Sequence, residues 1–255
     1  MDVKVLKPAE EKKLVETCLL AGKILMQCGA ETYRVEDTMM RMAAACGFSE
    51  SQSFVTPTGI IFSLEGSDSS QFVRISQRGT DLEKIARVNH ISRRMAEGEL
   101  RYEEAFQALK QLAKENLSFP IWVQILAATI STGSFLIMFK GVWGDYLPAM
   151  LVGGLGFTVM LLVHNQTKVK FFAEFMAAFV IALVSLLFVR FSVGQQLDLI
   201  VIASVMPLVP GLLITNAIRD LMAGHFVSGL SKGAEAFLTA LAIGAGVAVA
   251  YSIWL

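Results

Sequence analysis

From Phe119 onward, apolar residues gather into five long runs: Phe119–Phe139, Asp145–Val163, Phe171–Val189, Leu197–Thr215 and Ala234–Trp254. Each is close to the roughly 20 residues that a helix needs to cross the hydrocarbon of a bilayer. No other feature constrains the fold as strongly. Of the 255 residues, 54% are hydrophobic and only 17% charged, a membrane-protein composition. Charge is also unevenly placed. Residues 1–118 carry 16 Lys+Arg and 17 Asp+Glu, whereas residues 119–255 carry 6 and 5. The expected fold class is therefore an α+β cytoplasmic domain (1–118) followed by an α-helical membrane domain of five transmembrane helices (119–255). Formal net charge is zero, so the whole-chain balance gives no sign of a nucleic-acid partner.

In the charged half, Leu14, Cys18, Ala21, Leu25 and Cys28 recur at helical spacing, with Gly29 placed as a C-cap. Val35, Met39, Met42 and Cys46 mark a second amphipathic helix ending at Gly47. The stretches "SFVTPTGIIFSLEG" and "SQFVRISQRG" read as strands, with a turn at Pro57 and Gly59. Thr80 and Glu83 fit a capping box for a helix over Asp81–Ala96. Tyr102, Phe106, Leu109 and Ala113 line one face of a further helix. The three cysteines show no metal-ligand spacing and read as reduced thiols. No cofactor or metal is expected, and "MDVKVLKPAEEKK" lacks the apolar core of a signal peptide.

A cytoplasmic N-terminus places Lys168, Lys170, Arg219 and Lys232 inside and only Lys140 and Arg190 outside, as the positive-inside rule favours. Five spans then leave the C-terminus outside a plasma membrane. Trp122, Trp143, Tyr146 and Trp254 sit near span ends as interfacial anchors. Ala149 with Gly153, and Ala240 with Gly244 and Ala248, form faces of small residues that allow helices to pack closely, within the chain or between chains.

The fourth run contains "PLVPGLLITNAIRD", residues 207–220, in which two prolines and a glycine interrupt a hydrophobic helix. Irregular backbone is tolerated at membrane depth only where protein or a wet cavity surrounds it. Pro207 and Pro210 have no N–H, so carbonyls near Ala203 and Met206 are expected to lose their helical partners. A helix restarting at Gly211 offers its N-terminus to an anion such as a carboxylate. Discontinuous helices of this kind carry the solute in many transporters. Thr215, Asn216, Arg219 and Asp220 follow on adjacent helical faces, either lining a cavity or marking the helix end. Pro207, Pro210, Gly211, Thr215, Asn216, Arg219 and Asp220 are thus the candidate substrate-binding residues. Asp220, Glu174 and Asp198 are candidates for proton or ion coupling, since carboxylates inside membranes are rare and functional. The segment "AGHFVSGLSKGAEAF" is too polar to cross and is expected as a re-entrant or cytoplasmic connection, with His225 a solvated loop residue.

The stretches "GAETYRVEDTM", "TPTGIIFSL", "RISQRGTDLEKIARVN" and "PLVPGLLITNAIRDLMAGHFVSGLSKGAEA" resemble the threonine/serine exporter family, in order and over almost the whole chain. The length matches a short branch in which one chain holds the soluble domain and five spans. This resemblance implies a secondary exporter of an amino acid or succinate, which needs a small membrane-protein partner subunit and works as an oligomer.

Two other classes compete. A hydrolase would have to recruit Ser63, Ser76, Asp81 and His90, but no nucleophile elbow, HExxH or phosphate loop is present. A solute-sensing scaffold would use the Glu31, Arg34, Glu36 and Asp37 cluster, which reads more simply as local ion pairs at a helix start.

Overall fold

The computed structural model describes residues 8–64, 66 and 70–254; the side chain of Trp254, an expected anchor, lies outside the described residues, as do residues 1–7. The elements in chain order are α1 (Pro8–Gln27), α2 (Thr32–Ala44), β1 (Gln52–Thr56), β2 (Gly59–Ser63), β3 (Gln71–Arg74), α3 (Leu82–Ala96), α4 (Tyr102–Lys114), α5 (Ile121–Met138), α6 (Tyr146–Thr167), α7 (Lys170–Arg190), α8 (Leu197–Val205), α9 (Gly211–Met222) and α10 (Phe226–Trp254). They form two compact units. One gathers the described residues up to Ser118 together with Leu212–Gly233; the other holds Phe119–Gly211 and the chain from Ala234.

In the first unit α1 is the central element, in contact with α2, α3, α4 and two strands. Its apolar residues are buried on several faces, Leu14, Cys18, Leu19, Ala21, Ile24 and Leu25 among them. Burial raises the Cys18 thiol pKa and pushes that of Cys28 up to about 11, so neither is a ready nucleophile. Gly29 has φ +86 and lets the Ala30 N–H reach back to the Leu25 carbonyl at 3.0 Å, closing the helix as expected. The three strands form an antiparallel sheet in the order β1-β2-β3, with the first two joined across Pro57 and Thr58. Val55, Ile60 and Phe62 point into the core, while Phe54, Ile61 and Phe72 form an exposed cross-strand row. One cap differs from expectation. Asp81, not Thr80, is the N-cap of α3, because the helix starts one residue later and the carboxylate accepts the Lys84 N–H at 3.0 Å.

The second unit carries α5 to α8 and α10 from Ala234 onward. Ile121–Met138, Trp143–Thr167, Lys170–Arg190 and Phe226–Ile253 are each long and apolar enough to cross a bilayer. The pair Leu197–Leu208 and Gly211–Met222 meets that test only when taken together, making up to five spans. The expected small-residue face on α6 is used. Gly153 lies so close to α5 that a Cβ there would stand 2.1 Å from Thr132 Oγ1. Ala240, Gly244 and Ala248 instead face outward. Gly246 makes the close approach to α7, where an added Cβ would stand 2.4 Å from the Phe175 carbonyl.

The segment expected as a polar connection is helical from Phe226 onward. Gly224, at φ +86, turns the chain after α9, and α10 then begins at once. The glycine at 229 serves packing, not irregularity: a Cβ there would meet Leu221 at 2.6 Å and the Ala217 carbonyl at 3.0 Å. Glycine is what lets the start of α10 lie against α9.

Candidate functional site

The break in the fourth apolar run is real, and its local geometry follows from the prolines. After α8 the chain makes a single 3₁₀ turn, Met206–Leu208, then becomes extended at Val209 (ψ 130) and restarts as α9 at Gly211. Pro207 sits inside the turn, and Pro210 immediately precedes the new helix. Residue 207 cannot donate to the Ala203 carbonyl, as expected of a proline. Met206 departs from the expectation: its carbonyl accepts the Val209 N–H at 3.1 Å, because the tighter turn brings an earlier donor within reach.

Beyond the break, three of the four polar candidates meet the corner between α1 and α2. The Asp220 carboxylate is fully buried. It accepts the Thr32 N–H at 2.9 Å, the Thr32 hydroxyl at 2.8 Å and the Lys232 ammonium at 2.8 Å. Thr32 is the first residue of α2, and Glu31, the N-cap, supplies no side-chain bond. Asp220 therefore caps α2 from 188 residues away, placing a negative charge on the positive end of that helix. Lys232, 5% exposed, also donates to the Ala30 carbonyl at 3.1 Å. Asn216 donates to the Gly29 carbonyl at 2.8 Å, and Arg219 pairs with Glu31. The "GAET" corner, with few backbone partners of its own, is thus satisfied by α9 and the first turns of α10. Thr215 is exposed, one turn before Arg219 on α9.

A second cluster lies beside the first. Glu36 accepts the Val55 N–H at 3.0 Å and faces His225 Nε2 at 3.8 Å, while Ser228 donates to the Val55 carbonyl at 3.3 Å. Burial raises the Glu36 carboxyl above its ordinary range, opposed by the Val55 N–H and by His225. His225, expected as a solvated loop residue, instead stands in this cluster, because Gly224 folds the α9–α10 turn back toward β1.

Two of the sequence stretches singled out above, residues 29–39 and 207–236, therefore meet through specific bonds. The profile of the family described as "Putative threonine/serine exporter" matches residues 16–254, which contain both. The chain belongs to the threonine/serine exporter family.

Its relatives include two proteins named "Probable succinate transporter subunit YjjP", from Klebsiella aerogenes and Escherichia coli K12. Each is 25% identical to it, over 96% of both chains. A protein named "Probable threonine/serine exporter" from Mycobacterium tuberculosis H37Rv is 21% identical over 90% of this chain but only 44% of its own length. No solved structure matches.

The remaining candidates of this family member are dispersed. Asp198 is exposed in the first turn of α8, where an acid favours the helix dipole. Glu174 is 6% exposed in α7, facing α10. The residues a hydrolase would need are spread over three elements: Ser63 ends β2, Ser76 follows β3, and α3 holds Asp81 as its cap and His90 exposed two turns later. Arg34, Glu31, Asp37 and Arg41 form local ion pairs at one turn's spacing.

Sequence reasoning missed Thr32, Lys232 and Asp145. Lys232 was counted only as an orienting charge, and Thr32 is one of many threonines. Asp145 is fully buried at the start of α6 and accepts the N–H groups of Gln195 and Gln196, at 2.6 and 2.9 Å. It ties the loop before α6 to the start of α8. Its place at the edge of an apolar run was the available signal.

Proposed function

We propose that this chain is one subunit of a secondary exporter that carries a small carboxylate-bearing metabolite, threonine, serine or a dicarboxylate such as succinate, across the plasma membrane. The observation that carries the reading is the interrupted helix at Pro207, Pro210 and Gly211 in a member of a family named for export. Such a break offers a carbonyl without its helical donor on one side and a helix N-terminus on the other. A carboxylate suits the second and an amine or proton carrier the first.

A second membrane protein completes the transporter. The word "subunit" in the names of two relatives and the greater length of the mycobacterial one support this. The N-terminus is assigned to the cytoplasm and the C-terminus to the outside. Arg219 and Lys232 bond to Glu31 and Ala30 within one compact unit, which supports reading these charges on the side of the soluble elements.

Within this reading the polar residues after the break divide by role. A carboxylate already holding three donors is a poor ligand for a passing solute, so Asp220, with Asn216 and Arg219, links α9 to the α1–α2 corner. Pro207, Pro210, Gly211 and Thr215 are left nearest the solute. Nothing in the geometry favours a hydrolase.

The deciding experiment is efflux of labelled succinate, threonine and serine from preloaded cells expressing this chain with and without a candidate partner. Selective efflux that needs both proteins, and falls in Pro210→Ala at equal membrane abundance, is the expected result. Unchanged flux in Pro210→Ala would remove the break from the mechanism. No efflux of any of the three, with both proteins in the membrane, would overturn the assigned substrate class.

A further inference from the structure

Among the four single helices that are long and apolar enough to span in the described residues, α7 is the most apolar, and it carries one acid in its interior, Glu174. It is 6% exposed and shares its helical face with Ala177, Ala178 and Ile181, all fully buried. Across the seam stands Thr239 of α10, also fully buried. Glu174 Oε2 and Thr239 Oγ1 face each other, and neither makes a well-formed hydrogen bond to any other described group. Buried polar atoms of this kind are rare in folded proteins and call for an occupant or a function.

The surroundings narrow what that function is. One turn earlier on both helices, Lys170 and Glu235 pair at 3.0 Å. The charged groups that act on Glu174 are these two, in opposite senses, and they are paired with each other. Further along, Gly246 presses α10 onto the backbone of α7. The pairs 170 with 235, 174 with 239 and 178 with 246 advance together, so the two helices run in the same direction and the seam is closed beyond the acid. An ionised carboxylate in such a seam has no cation of its own, and a buried unpaired charge costs several kcal/mol or is removed by protonation. The Thr239 hydroxyl can donate to the ionised carboxylate or accept from the protonated one, so the pair accommodates the acid in both states.

We propose that Glu174 and Thr239 form a proton-binding site in the α7–α10 seam, through which the exporter takes up its driving ion. The coupling role rests on the transport reading above; the bound proton does not. On protonation the carboxylate gains one O–H bond and the seam loses one negative charge. On release the proton leaves past the Lys170–Glu235 pair, the polar end of the seam.

The test uses the full chain, alone in lipid vesicles for spectroscopy and with its partner for flux. Infrared difference spectra should show at neutral pH a carbonyl band of a protonated carboxylic acid that shifts on deuteration. It should be absent in Glu174→Gln and displaced in Thr239→Val, which removes the hydroxyl while keeping the shape. In flux measurements Glu174→Gln should keep exchange of solute for solute and lose transport driven by a pH gradient. If wild type shows no such band, or Glu174→Gln retains it, the site is overturned. A band that behaves as described in a protein that moves no solute would sink the transport reading and leave the proton site standing. Gradient-driven transport unaltered in Glu174→Gln would overturn the coupling role.

Discussion

The cap that Asp220 places on α2 makes a prediction that can be worked from its three bonds. Asp220→Asn keeps the shape but replaces one acceptor oxygen by an NH₂ group. That group then faces two donors, the Thr32 hydroxyl and the Lys232 ammonium, each now 2.8 Å away. Lys232 keeps the Ala30 carbonyl at 3.1 Å but is left buried without a counter-charge. Breaking a buried pair from one side costs about 3–5 kcal/mol. The retained carbonyl bond argues for the lower end, about 3 kcal/mol, which is roughly a hundredfold in a local opening equilibrium.

Amide exchange of residues 30–35 in the full chain reads that opening directly, since the Thr32 N–H is itself bonded to Asp220. Exchange there should accelerate by roughly two orders of magnitude, while the β1–β2 hairpin stays protected unless the whole unit opens. Adding Lys232→Met removes the stranded ammonium and keeps much of its stem. The double variant should recover a large part of the loss, with a coupling of about 0.5–3 kcal/mol. Raised salt should change little, because a buried pair is poorly screened. Exchange in Asp220→Asn within about threefold of wild type, well below that cost, would refute the argument. So would a double variant as damaged as the two single losses added together.

Three further outcomes follow from geometry. Gly29→Ala puts a Cβ at φ +86 and 2.9 Å from the Gly79 carbonyl, so thermal stability should fall by at least the roughly 1–2 kcal/mol of a left-handed non-glycine residue; an unchanged melting curve would contradict the cap. Gly246→Ala should destabilise by about 1–3 kcal/mol through the Phe175 carbonyl, whereas Gly244→Ala, with open space around it, should be neutral, as compared by thermal aggregation in detergent. Because burial raises the Glu36 carboxyl, its stabilising contribution is full below the ordinary carboxylate value and is lost as pH rises through the raised one; wild type should therefore lose stability relative to Glu36→Gln across that window, and parallel pH curves would count against it.

The elements were legible where one period dominated. Leu14, Cys18, Ala21 and Leu25 gave α1, and alternation around the Pro57 turn gave the hairpin. Gly224–Gly233 was harder, because glycine signals both irregular backbone and close helix approach. Composition cannot separate the two until the Leu221 and Ala217 neighbours of Gly229 are known. The face of Ala240, Gly244 and Ala248 is turned outward, whereas Gly246, two residues on and facing the other way, makes the close contact within the chain.

The polar residues after the break raise the opposite difficulty. A sequence shows that Asp220 is an acid near a membrane helix end, but not whether its oxygens are spoken for. The partner that answers is Thr32, 188 residues earlier, and no local pattern points to it. Once that bond is known, the roles within the family motif separate on physical grounds. Asp220, Asn216 and Arg219 spend their hydrogen bonds on the "GAET" corner, so any rearrangement of α9 must either carry α2 with it or break a buried pair. Glu174, which sequence alone ranked no higher than Asp198, is buried in the α7–α10 seam with Thr239 facing its carboxylate. Residues 216–220 of that segment thus hold α9 to the α1–α2 corner, while residues 207–211 stay with the proposed solute path and Glu174 with the proposed proton site.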